Sequence, residues 1–95
     1  MGNPRPKPKR LGEKLLQIRE AFGLSQARMR DRLGLDYMQA ARISEYERDD
    51  REPSLPTLLA YADLAGVHVE DIINDAVDLP DKLPGDVHHR VLPKS

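Results

Sequence analysis

The sequence predicts a compact all-α domain of five short helices between a flexible N-terminal arm and a C-terminal tail. Apolar residues recur three or four positions apart, which is the spacing of one helix face. Glycine, proline or a capping serine separates these segments at short intervals. The chain carries no strand signals. We expect the arm to cover residues 1–9, the domain residues 10–78 and the tail residues 79–95.

The first two helices follow from their apolar stripes and their end signals. Ser25 caps the second helix, because its hydroxyl can accept a hydrogen bond from a free backbone amide. Gly23 ends the first helix and Gly34 the second, since glycine readily takes the left-handed backbone of a helix C-terminus. The stripe residues of these two helices are Leu11, Leu15, Ile18, Phe22, Met29 and Leu33.

The third helix is predicted over about residues 39–48 from Ile43 and Tyr46, which lie three positions apart and therefore share a face. Ser44 and Glu45 then point away from that face. Residues 49–53 are charged and turn-prone, which predicts a loop after the helix.

A fourth and a fifth helix complete the predicted domain. Ser54 caps the fourth helix and Gly66 terminates it, while the fifth fades near Val77. Prolines and a glycine leave the residues from 79 onward little room for structure. The stripe residues of these two helices are Leu58, Leu59, Ala62, Ala65, Val69, Ile72 and Ile73.

The N-terminal arm alternates proline with basic residues, which predicts an extended and mobile segment. Arg5, Lys7, Lys9 and Arg10 have two readings. They either tether the protein to DNA through phosphates or the minor groove, or form a leader that aids solubility. We favour the tether, because this positive charge adjoins the first helix.

Composition restricts the function classes. A chain of 95 residues builds one modest core, which disfavours an enzyme with a large enclosed pocket. Cysteine is absent, so disulfides, cysteine-ligated zinc and thiol chemistry are excluded. No apolar run approaches the ~20 residues of a membrane span, and a cytoplasmic protein is expected. His68, His88 and His89 give no metal signature, and we expect no catalytic site, metal or cofactor.

The net charge of −1 is unevenly distributed along the chain. Residues 1–35 carry a charge of +6, residues 36–62 carry −3 and residues 63–95 carry −4. This asymmetry is typical of a protein with one face toward phosphates and another toward solvent or protein. The alternative is a chance clustering of charges on solvated helices.

Three motifs resemble one known family. G-L-S-Q at residues 23–26 opens the second helix, I-S-E-Y-E-R-D-D-R-E-P-S spans residues 43–54, and L-P-T-L-L-A-Y-A-D-L-A-G-V spans residues 55–67. In combination they resemble the Cro and lambda-repressor-like helix-turn-helix family, also called the Xre family. The resemblance covers roughly residues 10–75 and implies a DNA-binding domain whose third helix lies in the major groove.

Two departures from the family pattern concern the approach to the third helix. Six residues, 37–42, precede Ile43 where the family usually has three, so either Asp36 caps a helix from position 37 or residues 39–41 begin one. Arg30 stands where the family usually has a small apolar residue. It fits if its side chain extends outward or if the longer turn opens space.

The resemblance, together with side-chain chemistry, implies base contacts from the third helix. Gln39 suits adenine, whereas the Arg42 fork suits guanine or a phosphate. Ala40 and Ala41 offer apolar contact to a thymine methyl. Glu45 is either an acceptor for cytosine N4 or a solvated surface acid. The full set of predicted DNA-contacting residues is Gln26, Arg28, Gln39, Ala40, Ala41, Arg42, Ser44, Glu45, Arg48 and Arg51.

Phosphate contacts are expected beside the third helix. Gln26 begins the second helix, where free amides and the helix dipole favour an anion, and Arg28 adds charge beside it. Arg48 and Arg51 flank the following loop, and its two aspartates, at positions 49 and 50, partly cancel their charge. The resemblance also implies an ion pair between Arg19 and Glu47, which makes Glu47 structural and not catalytic.

The sequence therefore predicts a sequence-specific DNA-binding transcriptional regulator with double-stranded DNA as its partner. A homodimer would form through the fifth helix and the adjoining tail, at Val69, Ile72, Ile73, Val77 and Leu79, unless these residues close the monomer core. Two alternatives remain open. The protein is an antitoxin-type regulator whose acidic tail binds a partner protein, or a protein–protein adaptor with the same fold.

Overall fold

The computed structural model describes residues 8–85. It contains five helices: α1 (Leu11–Ala21), α2 (Gln26–Arg32), α3 (Ala41–Glu47), α4 (Leu55–Ala65) and α5 (Val69–Ile73). Residues 8–85 form no strand, so the predicted all-α class is confirmed. The third helix is shorter than the predicted 39–48, and the fifth ends at Ile73 instead of near Val77.

The predicted helix caps are formed by specific hydrogen bonds and backbone conformations. The Ser25 hydroxyl accepts a hydrogen bond from the Arg28 amide at 3.1 Å. Ser54 caps α4 in the same way through the Thr57 amide at 3.4 Å. Gly66 ends α4 in the left-handed conformation, at φ 74°. Each serine satisfies an amide that the first turn of a helix leaves without a partner.

The core is aliphatic, with two tyrosines at its centre. Tyr61 is fully buried and Tyr46 almost so. Burial of these side chains is the main stabilising term for a domain of this size. The buried apolar residues are Leu11, Leu15, Ile18, Met29, Leu33, Leu35, Ile43, Tyr46, Leu58, Tyr61, Ala62, Ala65, Ile72, Leu79 and Leu83.

A buried lysine joins α1 to the segment that follows α5. Lys14 is 0% exposed, and its ammonium donates hydrogen bonds to the carbonyls of Asp71 and Asn74 at 2.8 Å and to that of Val77. These carbonyls lie in α5 and just beyond it, where a helix end leaves acceptors unpaired. Burial, followed by the nearby Arg10 charge, lowers the pKa of Lys14. The sequence pattern does not reveal this role.

The predicted tail begins too early. Leu79 and Leu83 are 5% and 1% exposed, so these two side chains belong to the core, while residues 80–82 between them are exposed. At residues 84–85 the backbone of Gly85 approaches Gly66 so closely that an added Cβ on Gly66 would meet the Gly85 nitrogen at 2.5 Å. Residues 79–83 lack helical periodicity, but the side chains of Leu79 and Leu83 attach them to the core. The predictions for residues 86–95, including His88 and His89, concern residues outside the described part of the chain.

The root of the arm is also fixed, contrary to the expectation that residues up to 9 are mobile. The Asp75 carboxylate accepts hydrogen bonds from the amides of Lys9 and Arg10 at 2.9 and 3.0 Å. The Arg10 guanidinium donates to the Asp75 carbonyl at 2.9 Å and to the Asp78 carboxylate at 2.6 Å. Arg10 is therefore engaged within the domain, while Arg5 and Lys7 lie outside the described residues.

Replacing the buried lysine tests how much it stabilises the fold. Lys14→Met keeps the length of the side chain but leaves three carbonyls without their donor. We expect the free energy of unfolding to fall by about 2 kcal/mol, the cost of unsatisfied buried polar groups. Urea denaturation measures this. Lys82→Met, at an exposed position, is the control, and an equal effect of both variants would contradict the structural role of Lys14.

The Asp75 contacts predict an acid-dependent loss of stability. Hydrogen bonds from the two amides hold the pKa of Asp75 below its usual 3.8. A lowered pKa means that the unfolded chain binds the proton more readily. The Asp75 carboxylate therefore stabilises the fold fully above its ordinary pKa, and this stabilisation is lost as the pH falls through the lower pKa of the folded protein.

We expect the stability difference between wild type and Asp75→Asn to be largest near neutral pH and to vanish at strongly acidic pH. Denaturation curves collected from pH 7 down to pH 2 test this expectation. Asp81→Asn, which changes an exposed aspartate a few residues further along the chain, is the control. A difference that is independent of pH would show that the carboxylate charge is not involved.

Candidate nucleic-acid interface

Helices α2 and α3, with the turn between them, form the candidate DNA-binding element. Ile43 is 0% and Tyr46 is 3% exposed, so these two side chains fix one face of α3 on the core. The opposite flank carries Arg42, Ser44 and Glu45, which are only half-buried. A short helix held in this way presents polar groups outward from a rigid support.

The lengthened turn before α3 is ordered by contacts with the rest of the domain. Residues 36–40 form turns and a bend, and α3 begins at Ala41 with Ala40 as its N-cap, so the second proposed start, within residues 39–41, is the one observed. Met38 packs against the core, and its amide donates to the Leu35 carbonyl at 3.0 Å. Tyr37 is 77% exposed two residues before Gln39.

Arg30 occupies the space beside this turn. Its guanidinium pairs with Asp31 at 2.8 Å and donates to the Met38 carbonyl at 3.4 Å. The side chain is 24% exposed. The arginine therefore reaches across the longer turn instead of entering the α2–α3 contact, which explains how the domain accommodates it.

The ten residues predicted to contact DNA are all accessible to some degree. Gln39 lies in the turn, outside the helix, and Arg48 is the C-cap of α3. Five of the ten are exposed and five are half-buried: Arg28, Gln39, Ala41, Arg48 and Arg51 are exposed, whereas Gln26, Ala40, Arg42, Ser44 and Glu45 are half-buried. The domain itself therefore covers none of them completely.

A cluster of three charged side chains lies on the outer flank of α3. The Glu45 Oε1 atom meets the Nε atom of Arg42 at 3.2 Å and the Nε atom of Arg51 at 2.9 Å. Arg42 and Glu45 are each 35% exposed, and Arg51 is 52% exposed. The carboxylate thus bridges α3 and the following loop.

The acidic residues of that loop have different partners. Asp50 pairs with Arg48 at 3.0 Å, which reduces the positive charge beside α3 as expected. Asp49, at a positive φ of 60°, instead accepts a hydrogen bond from the Gly12 amide at 3.0 Å. An added Cβ at Gly12 would lie 2.5 Å from the Glu47 carbonyl, so only glycine permits this approach of α1 to the end of α3.

An ion pair joins α1 to the C-terminal end of α3. The Arg19 Nε and Nη2 atoms donate to the two carboxylate oxygens of Glu47 at 2.6 and 3.1 Å. A third donor of Arg19 reaches the Leu24 carbonyl at 2.9 Å. The hydrogen bond with Glu47 raises the pKa of Arg19. The Glu47 side chain is 5% exposed, so the pair is largely withdrawn from water.

The start of α2 is connected to the same carboxylate. The Gln26 amide nitrogen donates to Glu47 Oε1 at 3.3 Å, so this side chain already has a partner within the domain. Arg28 is exposed two residues further along α2. The described residues contain no group of three or more metal-binding side chains. They also include no helix able to cross a bilayer.

Comparison with known families agrees with this geometry. A family model described as helix-turn-helix matches residues 15–72, which is more than half of the chain. The chain belongs to the Cro/C1-type helix-turn-helix family. The predicted resemblance to this Xre-like family is therefore confirmed. No curated protein matches the chain, and no solved structure matches it either. The helix-turn-helix family is a DNA-binding family and not an enzymatic one.

Sequence reasoning missed several features of this helix-turn-helix domain. The spacing of Arg42 and Glu45, three apart on a helix, is itself a signal of their ion pair. The second arm of the bridge, from Arg51, depends on how the loop folds and has no such signal. The hydrogen bond of Asp49 to Gly12 crosses 37 residues of sequence, and the exposure of Tyr37 follows from burial of its neighbour Met38.

Removing one partner of the α1–α3 ion pair tests its structural role. Arg19→Ala leaves the nearly buried Glu47 carboxylate without its main partner, so we expect the free energy of unfolding to fall by about 3 kcal/mol. Thermal melting and urea denaturation measure this. Arg32→Ala removes an equal charge from an exposed position of α2 and should change stability little. Unchanged melting of Arg19→Ala would show that the pair contributes nothing.

Proposed function

We propose that this helix-turn-helix protein is a sequence-specific transcriptional regulator that occupies an operator with α3 in the major groove. The supporting observation is the one-sided anchoring of α3. Ile43 and Tyr46 bury one face, while Arg42 and Ser44 remain accessible on the opposite flank. Family membership establishes DNA binding in general, and this exposed polar flank supports the finer proposal of base readout.

The proposed readout assigns each exposed group to an atom that it can bind. Arg42 would donate two hydrogen bonds to O6 and N7 of guanine, and Gln39 would form a bidentate pair with adenine. Ala40 and Ala41 would contact a thymine methyl group, and Ser44 either base or backbone. These residues lie at the N-terminal half of α3 and in the turn before it, the part that enters the groove in this type of domain.

The remaining basic residues would position the domain on the phosphates. Arg28, Arg48 and Arg51 are exposed around α2 and the loop after α3. Arg48 pairs with Asp50 at 3.0 Å, so a phosphate must compete with that carboxylate, while Arg51 meets Glu45 through Nε at 2.9 Å. Non-specific affinity should therefore be modest, and base contacts would carry a larger share of the binding. We place this activity in the cytoplasm, with the DNA.

We also propose that the regulator binds as a homodimer, because one small domain makes few base contacts. The predicted dimer surface is smaller than the sequence indicated, since Ile72 and Leu79 are buried in the monomer core. Ile73 and Val77 are each 37% exposed and are the part of that surface available to a partner. Binding to inverted half-sites one helical turn apart would follow from such a dimer.

Burial at the start of the tail bears on the antitoxin alternative. That alternative requires the tail to fold onto a partner protein. Leu79 and Leu83 already pack within the domain, so neither leucine is available to a partner. The described part of the tail therefore supports the regulator proposal better than the partner-binding alternative.

Selection of bound sequences from a random DNA pool at moderate salt tests the regulator proposal. We expect a symmetric motif that contains a guanine in each half-site. Arg42→Ala should relax preference at that guanine and weaken binding by about 1–3 kcal/mol. Lys82→Ala removes a positive charge outside the interface and serves as the control. A wild-type pool without enrichment would overturn the proposal and favour a protein partner.

A further inference from the structure

The charged cluster on the outer flank of α3 contains an acid where DNA would approach. Glu45 lies on the exposed side of the helix, between Arg42 and Arg51. An unpartnered carboxylate in this place would repel phosphates and cost affinity. Its two arginine contacts suggest a different use of the negative charge.

We propose that Glu45 is a positioning residue, which holds Arg42 against the groove for guanine and Arg51 toward the phosphates, and does not itself contact a base. This inference rests on the proposed function, since it concerns the same interface. Specificity would then depend on three side chains. Arg42 and Arg51 would contact the DNA, whereas Glu45, between them, would contact only the two arginines.

The geometry of the two ion pairs favours this role. Both arginines meet Oε1 of Glu45 through Nε, at 3.2 and 2.9 Å. The two terminal nitrogens of a guanidinium form its tip, an edge distinct from the side edge that Nε–H shares with one of them. They form the parallel pair of donors that matches guanine O6 and N7 or two phosphate oxygens. The carboxylate lies at the Nε side of each guanidinium, hydrogen-bonded to Arg51 and at ion-pair distance from Arg42, and the tip of each is the edge proposed to meet DNA.

The two ion pairs should increase specificity, because they restrict the arginine side chains before DNA binds. A free arginine side chain samples many rotamers and can reach phosphates and several bases with similar ease. Holding Arg42 at Nε restricts these alternatives before DNA arrives, so less conformational freedom is lost on binding the correct base. Each surface ion pair is weak by itself. Two pairs on one oxygen restrict the arginines more than either pair does alone.

The charge balance of the cluster works in the same direction. One carboxylate between two guanidinium groups leaves a net positive cluster, so the approach of DNA remains favourable. The acid nevertheless lowers the affinity for every sequence equally, because phosphates are common to all of them. Glu45 should therefore reduce non-specific binding while it improves discrimination between operators and other DNA.

Glu45→Ala tests this inference in the full chain. The dissociation constants are measured for the selected operator duplex and for a scrambled duplex of equal length. We expect affinity for the scrambled duplex to improve roughly twofold through the lost negative charge. The ratio of the two affinities should fall about tenfold, within the range of one bidentate arginine–guanine contact. Thermal melting should not change, because alanine is a good helix former.

Matched variants separate positioning from a general charge effect. Glu52→Gln removes an acid from an exposed position in the loop after α3, and should improve both affinities equally without changing their ratio. Glu45→Gln keeps one acceptor oxygen at the same reach and should retain part of the discrimination. In the free protein, the Nε–H resonances of Arg42 and Arg51 should shift in Glu45→Ala and not in Glu52→Gln.

A double variant decides between positioning and direct base contact. If Glu45 acts through Arg42, the variant Arg42→Ala with Glu45→Ala should have the same affinity ratio as Arg42→Ala alone. A further loss of preference at a cytosine would instead identify Glu45 as a base contact and overturn the inference. An unchanged ratio in Glu45→Ala would overturn it too, and identify a solvated acid. In both cases the regulator proposal survives, whereas a wild-type ratio near one would overturn both proposals.

Discussion

The contact between α1 and the C-terminal end of α3 is the constraint on which the interface depends. A helix of seven residues is too short to be stable by itself, so its orientation must come from tertiary contacts. Three contacts supply it: the buried face of Ile43 and Tyr46, the bidentate Arg19–Glu47 pair, and the Gly12–Asp49 hydrogen bond with its close backbone approach. The last two hold the C-terminal end of α3. The outer flank of its N-terminal half stays accessible, because Ile43 turns only the opposite side into the core. The same arrangement therefore orients α3 and leaves a polar flank open.

The acidic residues of positions 45–50 resolve the apparent conflict between a near-neutral chain and a DNA-binding domain. Glu47 pairs with Arg19, Asp50 pairs with Arg48, and Asp49 accepts the amide at the start of α1. Glu45 lies between two arginines. Each carboxylate is matched by a donor of this chain, so none acts as an isolated charge against phosphates. Net charge describes solubility and long-range attraction, while local pairing decides what the DNA meets.

Much of the fold was predictable because its causes are local. Helical periodicity, Ser25, Ser54 and Gly66 act within a few residues of where they stand, and the Arg19–Glu47 pair followed from the family resemblance. The errors have non-local causes. Lys14 is polar, and only the folded chain brings together three carbonyls that make its burial favourable. Leu79 and Leu83 follow no helical pattern, and their burial depends on packing against distant helices. At the interface, residue types indicated candidate contacts, whereas the Arg51–Glu45 bridge required the path of the loop.

Residues at the start of α1 contact both the residues just after α5 and the C-terminal end of α3. On one side, Gly12 is bonded to Asp49 just beyond α3. On the other, the Arg10 amide and the Lys14 ammonium are bonded to the segment after α5, through Asp75 and Asn74. Arg10, Gly12 and Lys14 are spaced two residues apart, so they lie within less than two helical turns. The residues just after α5, which the sequence placed in the fading end of the fifth helix, therefore stabilise the same turn that supports the end of α3. Loss of residues 74–77 would leave the Arg10 amide and the Lys14 ammonium without these acceptors and would weaken the turn that holds Asp49.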